Sequence, residues 1–213
     1  MARAMLNLFY NFCFHVDGHD RVTSMFKKPT PSLTPALMIV PTIFLIDQIK
    51  KWWMLEHIIR PALTGEWNGG RGFFDWITQT ALPRYPFTQI DIYPWFNAVM
   101  VWNEGVSFGF LNGGAAGSGN VMLMAVLAVI VTGFAVWMVR TRVFALRALL
   151  AVIIGGACGN LWDRVRFGAV ADFYDFHIGP YHYPAFNVAD SAIVIGMIGL
   201  LVYEFRYRGK EKI

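Results

Sequence analysis

Three aspartates in the last third of the chain, Asp163, Asp172 and Asp190, stand at the edges of strongly apolar segments. A carboxylate at a membrane boundary costs on the order of several kcal/mol unless it is paired, hydrated or protonated, so its default reading is functional. Two carboxyl groups that converge on one spot can share a proton and activate water, which is acid–base hydrolysis. Each acid also has a plainer reading. Asn187 is a good N-cap, which makes Asp190 a first-turn acid stabilised by the helix dipole. Asp163 and Arg164 could simply end a helix among headgroups. Asp172, in Ala169-Val170-Ala171-Asp172-Phe173, belongs to a loop or short strand at the outer face.

Further polar residues sit at suggestive spacings. Asp47 and Lys51 are four apart, on one helical face, and can pair. Counting from Leu33 at ~1.5 Å per residue puts Asp47 about 21 Å up, in the outer half of a bilayer. A structural ion pair and a functional acid both explain it. Asn160 and Arg164 lie one helical turn apart, so an amide and a guanidinium point the same way and could orient a peptide backbone or a carboxylate. Asn103-Glu104-Gly105 follows a strand-like run. Gly105 permits a sharp turn, and Asn103 offers both a donor and an acceptor, as in any hairpin.

The elements that must position these residues are membrane helices. Charged residues make up 15% of the 213-residue chain and aromatics 16%, with a mean hydropathy of +0.44. A soluble domain carries about 25% charged residues. Four windows, residues 33–55, 121–139, 145–165 and 188–203, are apolar enough to span a bilayer, which takes about 20 residues. The expected fold class is therefore mainly α and integral to the membrane, with four transmembrane helices and a small β-containing extracytoplasmic subdomain. Alternation around Ile90–Trp102 supplies the strands.

Lysine and arginine placement sets the orientation. Arg3, Arg21, Lys27 and Lys28 precede the first span, Arg140, Arg142 and Arg147 crowd the short loop between the second and third, and Arg206, Arg208, Lys210 and Lys212 follow the fourth. The long first loop has only Arg60, Arg71 and Arg84. By the positive-inside rule both termini are cytoplasmic and the acids at 172 and 190 face outward. The formal charge of +4 reflects these anchors, and no nucleic-acid partner is expected. Residues 1–31 read as a cytoplasmic extension without a secretory cleavage site, residues 32–208 as the membrane domain, and residues 209–213 as a cytoplasmic tail. Met25, just before the basic cluster, is a second possible start. Within the membrane domain, about 56–118 forms an extracytoplasmic insertion rich in tryptophan, tyrosine and phenylalanine. Such density favours a segment resting at the lipid–water interface. The two cysteines, Cys13 and Cys158, give no disulfide framework. His177 and His182 read as surface histidines without zinc-site spacing.

Taken as a set, these blocks resemble lipoprotein signal peptidase, or signal peptidase II, the membrane aspartyl proteases that process bacterial prolipoproteins. The matching blocks run in order over roughly residues 34–208. They are Asp47-Gln48 with Lys51; Asn103 with Gly105 and Phe108; Gly159-Asn160 with Asp163-Arg164, then Asp172-Phe173; and Phe186-Asn187 with Ala189-Asp190. The resemblance implies that Asp172 and Asp190 are the catalytic pair. It implies that Asp47, Lys51, Asn103, Gly105, Asn160, Arg164 and Asn187 support the site or touch substrate. It implies a prolipoprotein substrate bearing a diacylglyceryl cysteine, cut just before that cysteine at the outer face of a bacterial inner membrane. No metal or organic cofactor is implied, and the enzyme is expected to act as a monomer in contact with membrane lipid. The chain departs from the family in its N-terminal extension and in the insertion at 56–95. The competing readings are a small proton-coupled transporter using Asp47, Asp172 and Asp190 as a relay, and a non-catalytic membrane scaffold.

Overall fold

Helices form along the apolar runs. The computed structural model describes residues 32–80, 82–105 and 118–208. The extension at 1–31, the tail at 209–213 and Phe108 lie outside them. Helix α1, Thr34–Met54, begins with a proline in its first turn, where the missing N–H is no loss. It runs on through a π-helical turn, Leu55–Ile59, and a short α2, Arg60–Thr64. After α3, Phe73–Thr78, come strands β1, Thr88–Tyr93, and β2, Phe96–Asn103. Helices α4, Ser118–Arg140, and α5, Phe144–Phe167, precede β3, Val170–Ile178, and β4, Tyr181–His182; α6 is Val188–Arg208.

Polarity is distributed inside out. On α1, Asp47, Gln48 and Lys51 are buried, whereas Leu45, Ile46, Ile49 and Trp53 are exposed. Val129 on α4 and Ile195 and Ile198 on α6 are exposed as well. Water would penalise this arrangement, and hydrocarbon would not. Three segments, Val121–Arg140, Phe144–Phe167 and Val188–Arg206, are long and apolar enough to cross a membrane by length and composition. Helix α5 is central, packing against α1, α4 and α6. Its buried Gly155, Gly156 and Gly159 let neighbouring helices approach closely.

The sheet is antiparallel in the order β1-β2-β3-β4, and the strands anticipated before Asn103 are β1 and β2. Opposite β3, Val101 faces Asp172 and Asn103 faces Val170, past an irregularity between Ala98 and Val101. Phe186 also pairs with Tyr174, which draws the start of α6 against β3.

Burial divides the aromatic side chains of the insertion. Trp67, Phe74 and Phe87 are exposed, as an interfacial segment requires, but Trp76 is only 1% exposed. It packs with Leu55, Ile59, Met100, Phe167 and Ala171 in a core beneath the sheet. Buried Glu56 accepts hydrogen bonds from the Arg71 backbone N–H at 3.0 Å and from its Nη1 at 3.2 Å. Trp52 Nε1 donates to Arg71 O at 2.7 Å. The insertion is thus a folded part with its own interior, rather than a surface platform throughout.

Candidate active site

Asp47, Lys51 and Asp163 form one buried cluster where α1 meets α5. Lys51 Nζ lies 2.8 Å from Asp47 Oδ2 and 2.8 Å from Asp163 Oδ2, and donates to Asn160 Oδ1 at 3.1 Å. All three ammonium hydrogens therefore have acceptors. Gln48 Nε2 serves both acids, at 3.1 Å from Asp47 Oδ2 and 3.0 Å from Asp163 Oδ1. The remaining acceptor capacity goes to backbone. Ala189 N, in the first turn of α6, donates to Asp47 Oδ1 at 2.9 Å, and Ala171 N donates to Asp163 Oδ2 at 3.2 Å. Asp47 thus satisfies an otherwise orphaned N–H at a helix start, where the dipole favours an anion. The pairing expected of Asp47 and Lys51 is present, and it is one edge of a larger network that fixes both α6 and β3.

On that network rest two asparagines. The side chain of Asn187 accepts from Asp190 N at 2.9 Å, while Asp190 Oδ2 accepts from Asn187 N at 3.1 Å. This reciprocal pair starts α6 as a capping box does, so the N-cap reading of Asn187 and the first-turn reading of Asp190 both hold. Asn187 Nδ2 then donates to Asp172 Oδ1 at 2.7 Å and to Asn160 Oδ1 at 3.1 Å. Asn160 Nδ2 donates to Asp190 Oδ1 at 2.7 Å. Asp172 and Asp190, remote in sequence and carried by β3 and α6, are therefore joined through one pair of amides.

Asn103 completes the ring around Asp172. Gly105, at φ 95°, takes a conformation open to glycine, and its N–H donates to Asn103 Oδ1 at 2.9 Å. That bond orients the amide so that Nδ2 donates to Asp172 Oδ2 at 3.1 Å. Burial first, and then the negative charge of Asp190, push the Asp172 carboxyl from 3.8 up to about 7. The Asn103 and Asn187 hydrogen bonds and the Lys51 charge pull the other way. Arg164 Nη1 donates to Asn160 O at 3.2 Å, and its buried Nε has no hydrogen-bond partner among the described residues. A protonated carboxyl beside a second carboxyl, with a guanidinium donor to spare, can give and take protons at a polarised carbonyl.

The histidines lie elsewhere. His182 is solvent-exposed, its Nδ1 2.9 Å from Asp175, and its ring stacks on His177 at 4.8 Å between centroids. They line a cavity of about 480 Å³ with Asp91 and Asn97, apart from the aspartate pair. Among the described residues no group of three or more His, Cys, Asp or Glu is arranged to hold a metal ion.

The profile of the family described as Signal peptidase (SPase) II matches residues 39–206, a span that includes every residue of the buried site. The chain belongs to the signal peptidase II family. A lipoprotein signal peptidase of Anaplasma phagocytophilum (strain HZ) is 42% identical over 121 residues, 57% of this chain and 76% of the relative. One of Methylorubrum extorquens (strain PA1) is 44% identical over 113 residues, 53% of this chain and 66% of the relative. A solved structure described as a bacterial membrane enzyme superposes with a TM-score of 0.59, covering 84% of this chain and 92% of its own. At 20% identity that likeness concerns the fold alone. Signal peptidase II is a family of membrane aspartyl proteases, so membership favours a peptidase over the transporter reading.

For this signal peptidase II, every site residue named from the sequence falls in one connected cluster. Three members were missing from that set: Gln48, Asp163 and Arg166. Asp163 stood among the boundary acids and in the matching blocks without a role of its own, and it shares a helix face with Asn160, three residues earlier. Gln48 adjoins Asp47, but nothing in its type announces a bridge between two acids.

Proposed function

We propose that this protein is a multi-pass aspartic endopeptidase of the bacterial inner membrane, with Asp172 and Asp190 as its catalytic dyad. Its activity is that of the family, removal of the signal peptide from prolipoproteins. The substrate carries a diacylglyceryl cysteine, and the cut falls before that residue. The observation that carries the assignment is the convergence of the two carboxyl groups on the Asn160–Asn187 amide pair. Asp190 acts as the base, taking a proton from water as the oxygen attacks the scissile carbonyl. Asp172, held in its acid form, donates its proton to the carbonyl oxygen, giving a tetrahedral intermediate. Collapse of that intermediate breaks the C–N bond: the proton held by Asp190 passes to the departing amine of the cysteine, and Asp172 takes back a hydroxyl proton as the C=O bond re-forms.

Asn160, Arg164 and Asn187 orient the peptide. Asp47, Lys51, Asn103 and Gly105 hold the acids in place. Helix α1, the first span in chain order, brings the spans to four. Its charges Asp47, Lys50 and Lys51 lower its hydropathy, but the acid and Lys51 face inward. Both termini, including residues 1–31 and 209–213, lie in the cytoplasm, and the dyad sits at the extracytoplasmic face. The lipid tails of the substrate stay in the bilayer while the peptide reaches the boundary, and one copy of the chain suffices.

The decisive experiment incubates the purified protein with a diacylglyceryl-modified precursor peptide and finds the cut by mass analysis. Cleavage before the lipidated cysteine is expected. Asp172→Asn and Asp190→Asn each lose about 100-fold or more of the rate, the scale of general acid–base groups, while still inserting into the membrane. Near-wild-type turnover by either variant would remove the dyad.

A further inference from the structure

Arg166 is 3% exposed, lies three residues beyond Asp163 on α5, and has partners on both sides of the site. Its guanidinium stands 3.9 Å from the centroid of the Trp76 ring and 4.6 Å from that of Phe167. Nε donates to Gln79 O at 3.0 Å, and Nη2 donates to Trp76 O. These carbonyls belong to the end of α3, where backbone acceptors lack intrahelical partners. Nη1 faces Gln48 Oε1 at 3.5 Å.

The other side of the Gln48 amide donates to Asp47 and Asp163. Asp163 in turn accepts the N–H of Ala171, the residue before Asp172. The contacts therefore run without a break from the insertion to the strand bearing the proposed acid. Charge points the same way: two carboxyls, Asp47 and Asp163, share the one ammonium of Lys51, and Arg166 adds a further cation that interacts with Asp163. Only a planar fork of donors can meet two backbone carbonyls and an amide oxygen while stacking between two rings.

We propose that Arg166 is a positioning residue for Asp172, acting through Gln48 and Asp163, with the inserted α3 anchoring its guanidinium. The insertion is then a working part of the active-site framework. This rests on the assignment of Asp172 to the dyad, and the test separates the two.

Rates, pH profiles and hydrogen exchange at the Ala171 amide are measured for Arg166→Gln, Arg166→Lys, Gln48→Ala and the Arg166→Gln/Gln48→Ala double variant. Arg166→Gln is expected to lower kcat about 10- to 100-fold, the scale of an ångström-sized misplacement, with KM within about twofold. The basic limb of its pH profile moves, and the Ala171 amide exchanges faster. Arg166→Lys keeps the charge without the fork and falls between wild type and Arg166→Gln. The double variant is no slower than the slower single one, as residues acting in series require. Wild-type kcat in Arg166→Gln, a loss explained wholly by a smaller folded fraction, or multiplicative losses in the double variant would overturn the proposal. Should Arg166→Gln fail to fold, Arg166→Lys carries the test, and a wild-type kcat with unchanged Ala171 exchange overturns it. An active Asp172→Asn, by contrast, defeats the dyad assignment, while Ala171 exchange still reports on Arg166.

Discussion

Asparagine, which cannot titrate, tunes the acid that does, Asp172. Asn187 Nδ2 and Asn103 Nδ2 each donate to Asp172, at 2.7 Å and 3.1 Å, and favour its charged form against burial and the Asp190 charge. With the carboxyl raised from 3.8 to about 7, the acid form prevails below that pH. Rate under kcat/KM conditions should then fall as pH rises through about 7. The stability linked to this proton has the same sign: the folded state binds it more tightly, so that contribution is complete below 3.8 and is lost as pH rises toward 7. Asn103→Ala removes a bond to the charged form, so the basic limb should move to higher pH in a pH–rate series. A limb that stays put or moves down would show that Asn103 does not tune Asp172. Asp172, Asp190, Asn160 and Asn187 were legible because polar residues at a membrane boundary are rare. Arg166 was not, since an arginine in the last turn of a helix is what the dipole and the headgroups already favour.

Helices meet here at a separation that side-chain size enforces. A Cβ on Gly159 would overlap Asp47 Oδ2, so α1 and α5 bring Asp47 and Asp163 onto Lys51 only because α5 is bare at that point. Gly159→Ala should push Asp47 away from Lys51 and the Ala189 N–H, costing about 1–3 kcal/mol as an overpacked core does. Thermal unfolding in detergent and the cleavage rate should fall together. An unchanged melting point and rate would mean that the helices do not need this approach. The long helices were legible because an apolar run near 20 residues has few other uses, and β1 and β2 showed through their alternation. The six-residue α3 is too short for periodicity to reveal. Trp76 is buried only because Met100, Phe167 and Ala171 come to it from distant parts of the chain, so its sequence neighbourhood resembled an interfacial run.

The molecule as a whole is sorted by polarity in two directions, radially and along the membrane normal. Radially, the buried Asp47, Gln48 and Lys51 are enclosed and apolar side chains face out, as the proposed four-span arrangement requires even of α1. Along the normal, the sheet, the insertion and both proposed catalytic acids lie at one end of the helices, and Arg140, Arg142 and Arg147 cluster at the α4–α5 turn. Positive charge is retained in the cytoplasm, so the acids should face outward. Single cysteines in a Cys13→Ala, Cys158→Ala background test this with a membrane-impermeant maleimide on intact spheroplasts. Ile178→Cys, at a position 84% exposed on the sheet, should label at once. Arg142→Cys, at the exposed α4–α5 turn, should label only after permeabilisation. The reverse pattern would put the acids in the cytoplasm. There they would meet precursors before export, and a peptidase for translocated, lipid-modified chains could not work.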